Sequence, residues 1–295
     1  ASMMYRGIRT KRIKVNGKRA EISTRLAVGD VVSLYLNDEF FEEKRADEAF
    51  LRAGDTLSVI YEDENILLIN KPAGMLSQPA DDGTPSLVEY LTGYLLDSGS
   101  LTEDDLRTFR PSVCNRLDRN TSGLIAAGKS LAGLQELSDM FKSRNLHKYY
   151  LCLVEGVLKQ EKHIRGYLTK DKKSNKVTIH KEEREGALPI ETRYFPLGDN
   201  GKRTLLKVEL ITGRAHQIRA HLASEGHPII GDPKYGKTAG RVKSQLLHSF
   251  RMEFPAVKGT LSYLTGKVFT APVPEIFLEV LKEEQLEESY YENLE

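Results

Sequence analysis

The stretch Cys114-Asn115-Arg116-Leu117-Asp118-Arg119-Asn120-Thr121-Ser122-Gly123-Leu124 sets one carboxylate between two guanidinium groups. If residues 115–119 are extended, Arg116 and Asp118 share a face while Leu117 anchors the other. Asn120 to Gly123 then turn the chain, and Leu124-Ile125-Ala126-Ala127 re-enter the core. Asp118 would thus stand at a strand end, exposed yet fixed from behind. A carboxylate beside cations is held as an anion at neutral pH, which suits a nucleophile or a base and not a general acid. On spacing alone, a structural ion pair is the simpler account of the same residues.

A second stretch gathers hydrogen-bond donors: Leu210-Ile211-Thr212-Gly213-Arg214-Ala215-His216-Gln217-Ile218-Arg219-Ala220-His221. Thr212-Gly213 reads as a turn into a helix over 217–225. Arg214, His216, Gln217 and Arg219 crowd its first turns, an arrangement that suits phosphate or carboxylate binding. By itself it is also an ordinary basic helix start. His216 and His221 fall on different helix faces, so no metal site is expected from them. Gly231-Asp232-Pro233-Lys234-Tyr235-Gly236 reads as a rigid turn of the kind that walls a site. No phosphate-cradling GxxxxGK[ST] loop, GxGxxG turn, HExxH pair or GxSxG elbow occurs.

The charge distribution narrows the partner. Net charge is only +1, but residues 1–36 hold eight Lys/Arg against two acids, and residues 201–251 hold ten against three. The segment from Glu275 to Glu295 holds eight acids and one lysine. Two basic tracts with the negative charge gathered elsewhere suit a phosphate-rich partner, although solvated surface explains any single tract equally well. Cys114 and Cys152 are the only cysteines and form no CxxC pair. That excludes a zinc ribbon, argues against a disulfide framework and fits a reducing cytoplasm. The basic N-terminus lacks the apolar stretch of a secretory signal. Apolar runs such as Ile66-Leu67-Leu68-Ile69 are strand-sized, well short of the roughly 20 residues of a membrane span.

These groups need elements to hold them. Residues 11–15 and 31–36 read as strands in a small N-terminal module over 1–45, with Asn16-Gly17 as a hairpin turn. The charged residues 46–56 read as a linker. A large domain over 57–280 opens on two strands joined by an acidic turn, which implies antiparallel pairing. Helical spacing marks 86–96 and 131–143; strands are expected at 149–154, 177–180, 192–195 and 205–210. Strands and helices intersperse without βαβ alternation, which gives an α+β fold with a mixed, mainly antiparallel sheet. The acidic segment 281–295 is expected to fray from a short amphipathic helix into a solvated tail.

The order of motifs resembles the RluA family of RNA pseudouridine synthases, in particular those that carry an S4-type module. The resemblance covers about residues 57–255. It runs through Asn70-Lys71-Pro72-Ala73-Gly74-Met75, Arg116-Leu117-Asp118-Arg119, Lys148-Tyr149-Tyr150-Leu151, Thr212 to His221, Gly231 to Gly236 and Leu247-His248. Residues 11–36 resemble the C-terminal part of an S4-type RNA-binding module. Asn115 stands where the family's Asp-bearing motif opens on histidine, and Ala215 stands where threonine is commoner. The resemblance implies a pseudouridine synthase fold with flanking helices, and an isomerase that converts uridine to pseudouridine in RNA without cofactor or metal. Large-subunit ribosomal RNA is the expected substrate, with transfer RNA, or binding without catalysis, as the alternatives; no membrane and no obligatory protein partner are expected. Asp118 is the implied catalytic residue, Arg219 its ion-pair partner, and Tyr150 the aromatic that packs on the base, with Tyr149 turned to the core. Arg116 is expected to fill the gap left by the extruded uridine. Lys71, Arg119 and Arg214 are expected at phosphates, and His216 and Gln217 at the RNA. A glycosidase, which ordinarily needs two carboxylates astride the bond, fits less well.

Overall fold

The computed structural model describes residues 2–35, 57–80, 83–171, 174–237 and 241–293. The chain divides into two compact units, residues 1–48 and 49–295. The expected linker over 46–56 lies outside the described residues, as does Leu36 at the end of the second N-terminal strand.

In the N-terminal unit, helix α1 (Ser2–Arg9) precedes strands β1 (Ile13–Val15), β2 (Lys18–Arg19) and β3 (Val32–Leu34), ordered β2-β1-β3 and antiparallel throughout. Asn16 and Gly17 both adopt positive φ, 49° and 76°, as a tight hairpin turn with the right-handed strand twist requires. The Asn16 amide also donates to Asp30 at 2.7 Å and accepts from the Val31 N–H at 2.9 Å, which ties β3 to the hairpin.

The larger unit is built on one sheet. Its strands are β4 (Val59–Glu62), β5 (Ile66–Lys71), β6 (Ser112–Val113), β7 (Ser122–Gly128), β8 (His147–Glu155), β9 (Lys162–Asp171), β10 (Lys176–His180), β11 (Leu188–Asp199), β12 (Arg203–Leu210), β13 (Leu247–Glu253) and β14 (Val268–Thr270). The path runs β10-β9-β11-β12-β8-β13-β7-β5-β4, with β14 added to β13 and β6 to β7. Among the described residues every pair is antiparallel except β7 with β13, where Ser122 and Gly123 face His248 and Ser249. An α+β fold with a mixed, mainly antiparallel sheet is therefore what these residues form.

Central strands read as unbroken apolar runs because both faces are covered. Leu67 and Ile69 of β5 join Ile125, Cys152 and Val208 on one face, over helix α2 (Leu87–Asp97) and helix α4 (Gln217–Ser224). Ile66 and Leu68 point the other way, with Leu124 and helix α3 (Leu131–Ser143). Both α2 and α3 start where local chemistry dictates. Ser86 caps α2 in a reciprocal box with Glu89, and the Ser130 hydroxyl accepts from the Gly133 N–H at 3.0 Å.

One expectation is corrected. The acidic end is not a solvated tail over its described length. Helices α5 (Glu275–Glu283) and α6 (Glu287–Asn293) fold back, with Phe277, Leu281 and Leu286 buried in the cluster of Leu151, Leu153 and Leu205. The acids lie on the opposite side, and Arg203 on β12 is bound by the Glu284 carboxylate. Among the described residues no helix is long and apolar enough to cross a membrane.

Candidate active site

Asp118 lies in the loop between β6 and β7, not on a strand. The loop is nevertheless held rigidly from behind. Leu117 is buried, its N–H donates to the Ser77 hydroxyl at 3.0 Å, and that hydroxyl donates back to its carbonyl at 2.8 Å. The Thr121 N–H closes a turn onto the Asp118 carbonyl at 3.0 Å. Asn115 acts as an extra rung of sheet: its side chain accepts from the Ala126 N–H at 2.8 Å and donates to the Leu124 carbonyl at 3.2 Å. An asparagine can do both at once, since it carries an acceptor and two donors on one planar group.

Lys71 corrects a second expectation. It is fully buried, and its ammonium donates to the carbonyls of Pro72, Met75 and Arg119 at 2.8, 2.9 and 3.1 Å. Burial pushes its pKa down to about 7, with the Asp118 charge opposing. All three of its protons are engaged inside the protein, so it positions the loop carrying Asp118 and is not free for a phosphate.

Gln217 corrects a third. It is 2% exposed, and its amide stitches the 212–214 turn to β11. Thr212 donates to its oxygen at 2.7 Å and the Arg214 N–H at 3.1 Å, while its nitrogen reaches the Glu191 carbonyl at 3.0 Å and Thr192 at 2.9 Å. This clamp fixes the start of α4 and brings Arg219, in its first turn, under Asp118.

Arg219 and Asp118 meet at 2.7 Å, Nη1 to Oδ2, although 101 residues separate them. The same guanidinium also serves Asp232: Nε donates to Oδ2 at 2.7 Å and Nη2 to Oδ1 at 2.8 Å. Asp232 is fully buried, and the N–H groups of Lys234 and Tyr235 also reach its Oδ1, at 2.9 and 3.2 Å. Burial opposes charge on both partners, but their hydrogen bonds and mutual attraction outweigh it. Arg219's pKa is raised and Asp232's is lowered. Removing one member of such a buried pair ordinarily costs about 3–5 kcal/mol.

His216 caps α4 in the left-handed conformation, φ 54°, which turns its ring toward Asp118. The Val177 N–H donates to the Tyr235 phenol oxygen at 2.9 Å, and the phenol lies 2.9 Å from His216 Nδ1. That contact suits either ring tautomer, since the phenol oxygen can accept a further hydrogen bond or give its own proton, and it leaves Nε2 as the ring nitrogen turned to Asp118. That atom stands 4.0 Å from Asp118 Oδ1. Burial lowers the His216 pKa; Asp118 opposes, and Arg219, Lys234 and Lys170 add to the lowering. His221 instead faces Thr192 at 3.1 Å, so the two histidines do part company as their spacing implies.

Tyr150 projects from β8 into the same cleft, while Tyr149 packs against the cluster on the other face. Burial pushes the Tyr150 hydroxyl up to about 12, with a Ser249 hydrogen bond opposing and the Asp118 charge adding. The cleft measures about 1110 Å³ and is lined by nine lysine and arginine residues and one carboxylate, Asp118. Arg116 and Arg119 are exposed at its rim. Arg214 lines it too, and its Nε is the one buried side-chain polar atom without a hydrogen-bond partner among the described residues. Sequence reasoning missed Asp232 and Tyr235 as partners of Arg219 and His216. It also missed Lys148, a cleft-lining ammonium with pKa lowered to about 8 by burial and Arg144, against Glu209. The motif Gly231 to Gly236 was the available signal, but a turn does not announce which side chain it aims inward.

A single carboxylate, gripped by a guanidinium and set in a wide cationic cleft, defines an enzyme class that works on a polyanion. The family described as RNA pseudouridylate synthase matches residues 65–224. The ribosomal large subunit pseudouridine synthase D of Borreliella burgdorferi is 30% identical over 244 residues, 81% of this chain and 72% of that protein. The ribosomal large subunit pseudouridine synthase C of Vibrio vulnificus is 33% identical over 244 residues, 80% and 71% of the two chains. The solved human RNA pseudouridylate synthase domain containing 4 shares the fold, at TM-score 0.65 and 19% identity, over 81% of this chain and 97% of that one. The chain belongs to the RNA pseudouridylate synthase family, of the RluA type.

Proposed function

We propose that this isomerase converts uridine to pseudouridine in large-subunit ribosomal RNA, with Asp118 as its catalytic residue and without a cofactor. The reaction breaks the bond between sugar C1′ and uracil N1, turns the base, and joins C1′ to C5. It needs no oxidant or reductant: C5 gives up its proton as the new bond forms and N1 takes one up, so one carboxylate and a held base can suffice. The observation that carries the reading is the Asp118–Arg219 contact at 2.7 Å in a cleft that no other carboxylate lines among the described residues.

The uridine must leave its stack to reach Asp118, at a cost of a few kcal/mol. Arg116, exposed at the rim, can stack into the vacancy and offset part of this. The face of Tyr150 packs on the extruded uracil. Arg119 and Arg214 take phosphates, and His216 faces the nucleotide beside Asp118. Ribosomal RNA is favoured because relatives carry that substrate in their names, and because the N-terminal unit, read as part of an S4-type module, offers a second basic surface. Action on that RNA also suits a cytoplasmic protein.

The test is tritium release from RNA labelled at uridine C5, followed by pseudouridine mapping in ribosomal and transfer RNA with and without the gene. Release from 23S-type RNA and one or more sites lost in the deletion are expected. Sites lost only in transfer RNA would replace the substrate; no release from any cellular RNA would leave a binding protein.

A further inference from the structure

We infer that Lys148 binds a phosphate bordering the target nucleotide, in an anion subsite that it forms with Lys142 and Arg144 where α3 passes into β8. This subsite rests on the reading of the cleft as an RNA site and deepens it.

Two lysines are buried beside the cleft, and their surroundings differ. Lys71 has its three protons engaged by three carbonyls, so the protein itself solvates its charge. Lys148 is 6% exposed, yet among the described residues its ammonium makes a single hydrogen bond, to the Leu146 carbonyl at 3.2 Å. No carboxylate of the described residues stands within ion-pair distance of it. Glu209, an acid whose charge reaches it, pairs with His147 and Arg193 instead. A buried ammonium without a counter-charge is costly to the fold. The site is short of one anion, and two of its protons have no acceptor.

The neighbours deepen that deficit. Arg144 caps α3 where the chain turns toward β8, and Lys142 lies in the last turn of the helix. Both are exposed on the cleft wall, and neither meets a carboxylate among the described residues. The Phe141 ring, its centroid 5.9 Å from Lys148 Nζ, lines the same end of the cleft. Burial lowers the Lys148 pKa to about 8, and Arg144 adds to the lowering. A bound phosphate reverses both effects, since it supplies the missing charge and oxygens for the idle protons. Lys148 and Tyr150 are alternate residues of β8, so they share a face about 7 Å apart along the strand. With the Tyr150 ring on the extruded uracil, the phosphate within reach of Lys148 is one of the two that flank that nucleotide.

The experiment measures RNA affinity and stability for Lys148→Met, which keeps the length of the side chain and removes its charge. The probe is 23S-type ribosomal RNA. The Kd is expected to rise about tenfold, as for a lost charge-assisted hydrogen bond. The slope of log Kd against log salt should fall by about one. The urea midpoint of the free protein should rise, because an uncompensated charge has left its interior. A stem–loop of the same RNA carrying one neutral methylphosphonate at a time then locates the contact. Wild-type binding should weaken at a phosphate flanking the target uridine, and that penalty should vanish in Lys148→Met. An unchanged Kd or salt slope, a lowered midpoint, or failure of the variant to fold would each overturn the subsite. So would a methylphosphonate penalty that the variant keeps at every position. Affinity needs no turnover. A wild-type protein that releases no tritium yet binds with the expected losses would therefore keep the subsite and remove the isomerase reading alone.

Discussion

Replacing Asp118 by asparagine keeps the volume and the hydrogen bond from Arg219 while removing the charge. We expect Asp118→Asn to lower turnover by at least about 10³-fold with RNA binding nearly intact; near-normal turnover would remove Asp118 from the chemistry. Tyr150 permits a finer separation. With its hydroxyl raised to about 12, it stays protonated across the neutral range and can donate a proton but not stand ready as a base. Tyr150→Phe should keep the stacking face and the affinity and slow conversion by about 10²-fold. The wild-type pH profile should show no limb from this group below about pH 11. A wild-type rate in the Phe variant would leave only the ring with a role. At this scale the sequence was legible where residue type and strand alternation decide the matter. Tyr150 rather than Tyr149 faces the cleft because period-two alternation puts Leu151 and Tyr149 together on the other side. Lys71 and Gln217 misled for one reason. Their polar heads suit RNA, but nothing in a residue's type says that loop carbonyls or a neighbouring strand will engage it first. The pairing of Arg219 with Asp118 came through family likeness; its second pairing, with Asp232, follows from the fold and not from residue type.

The elements that carry these residues depend on a few close approaches. Gly123, the second residue of β7, has φ 112°, and a Cβ there would sit 2.2 Å from the Ser249 carbonyl on β13. No side chain fits without parting the one parallel pair of strands. Gly123→Ala should destabilise the protein by about 3 kcal/mol or more, read as a lower urea midpoint with unchanged slope, and activity should fall with it because Asp118 lies five residues away. An unaltered midpoint would mean that β13 can shift aside freely. Helices α2 and α3 were legible from local signals, a serine cap and apolar spacing, which act within one turn of chain. Helices α5 and α6 were hidden by composition. Counting acids along 281–295 conceals that Leu281 and Leu286 fall on one buried side.

For the whole molecule, two buried histidines contribute to the loss of stability in acid. Burial lowers both His221 and His248 to about 4. Each is more easily protonated when unfolded, near 6.5, so their contribution is complete above pH 6.5 and is lost as pH falls through about 4. By pH 5 the loss should be roughly 2 kcal/mol for each at 1.36 kcal/mol per unit. Urea unfolding at pH 7 and pH 5 measures it, and a His221→Gln/His248→Gln variant should show a distinctly flatter response. An equal response would assign the acid sensitivity to carboxylates instead. The order of strands was not legible at all, because pairing β7 with β13 joins Ser122 to His248 across the length of the domain. That pairing has a consequence for biosynthesis. Translation delivers Asp118 long before Arg219, Asp232 and β13 have emerged, so a nascent chain halted near residue 200 exposes a half-made sheet with no competent centre. Maturation of the catalyst must wait for nearly the entire polypeptide, and truncated products of this gene should be aggregation-prone and inert, never partially active.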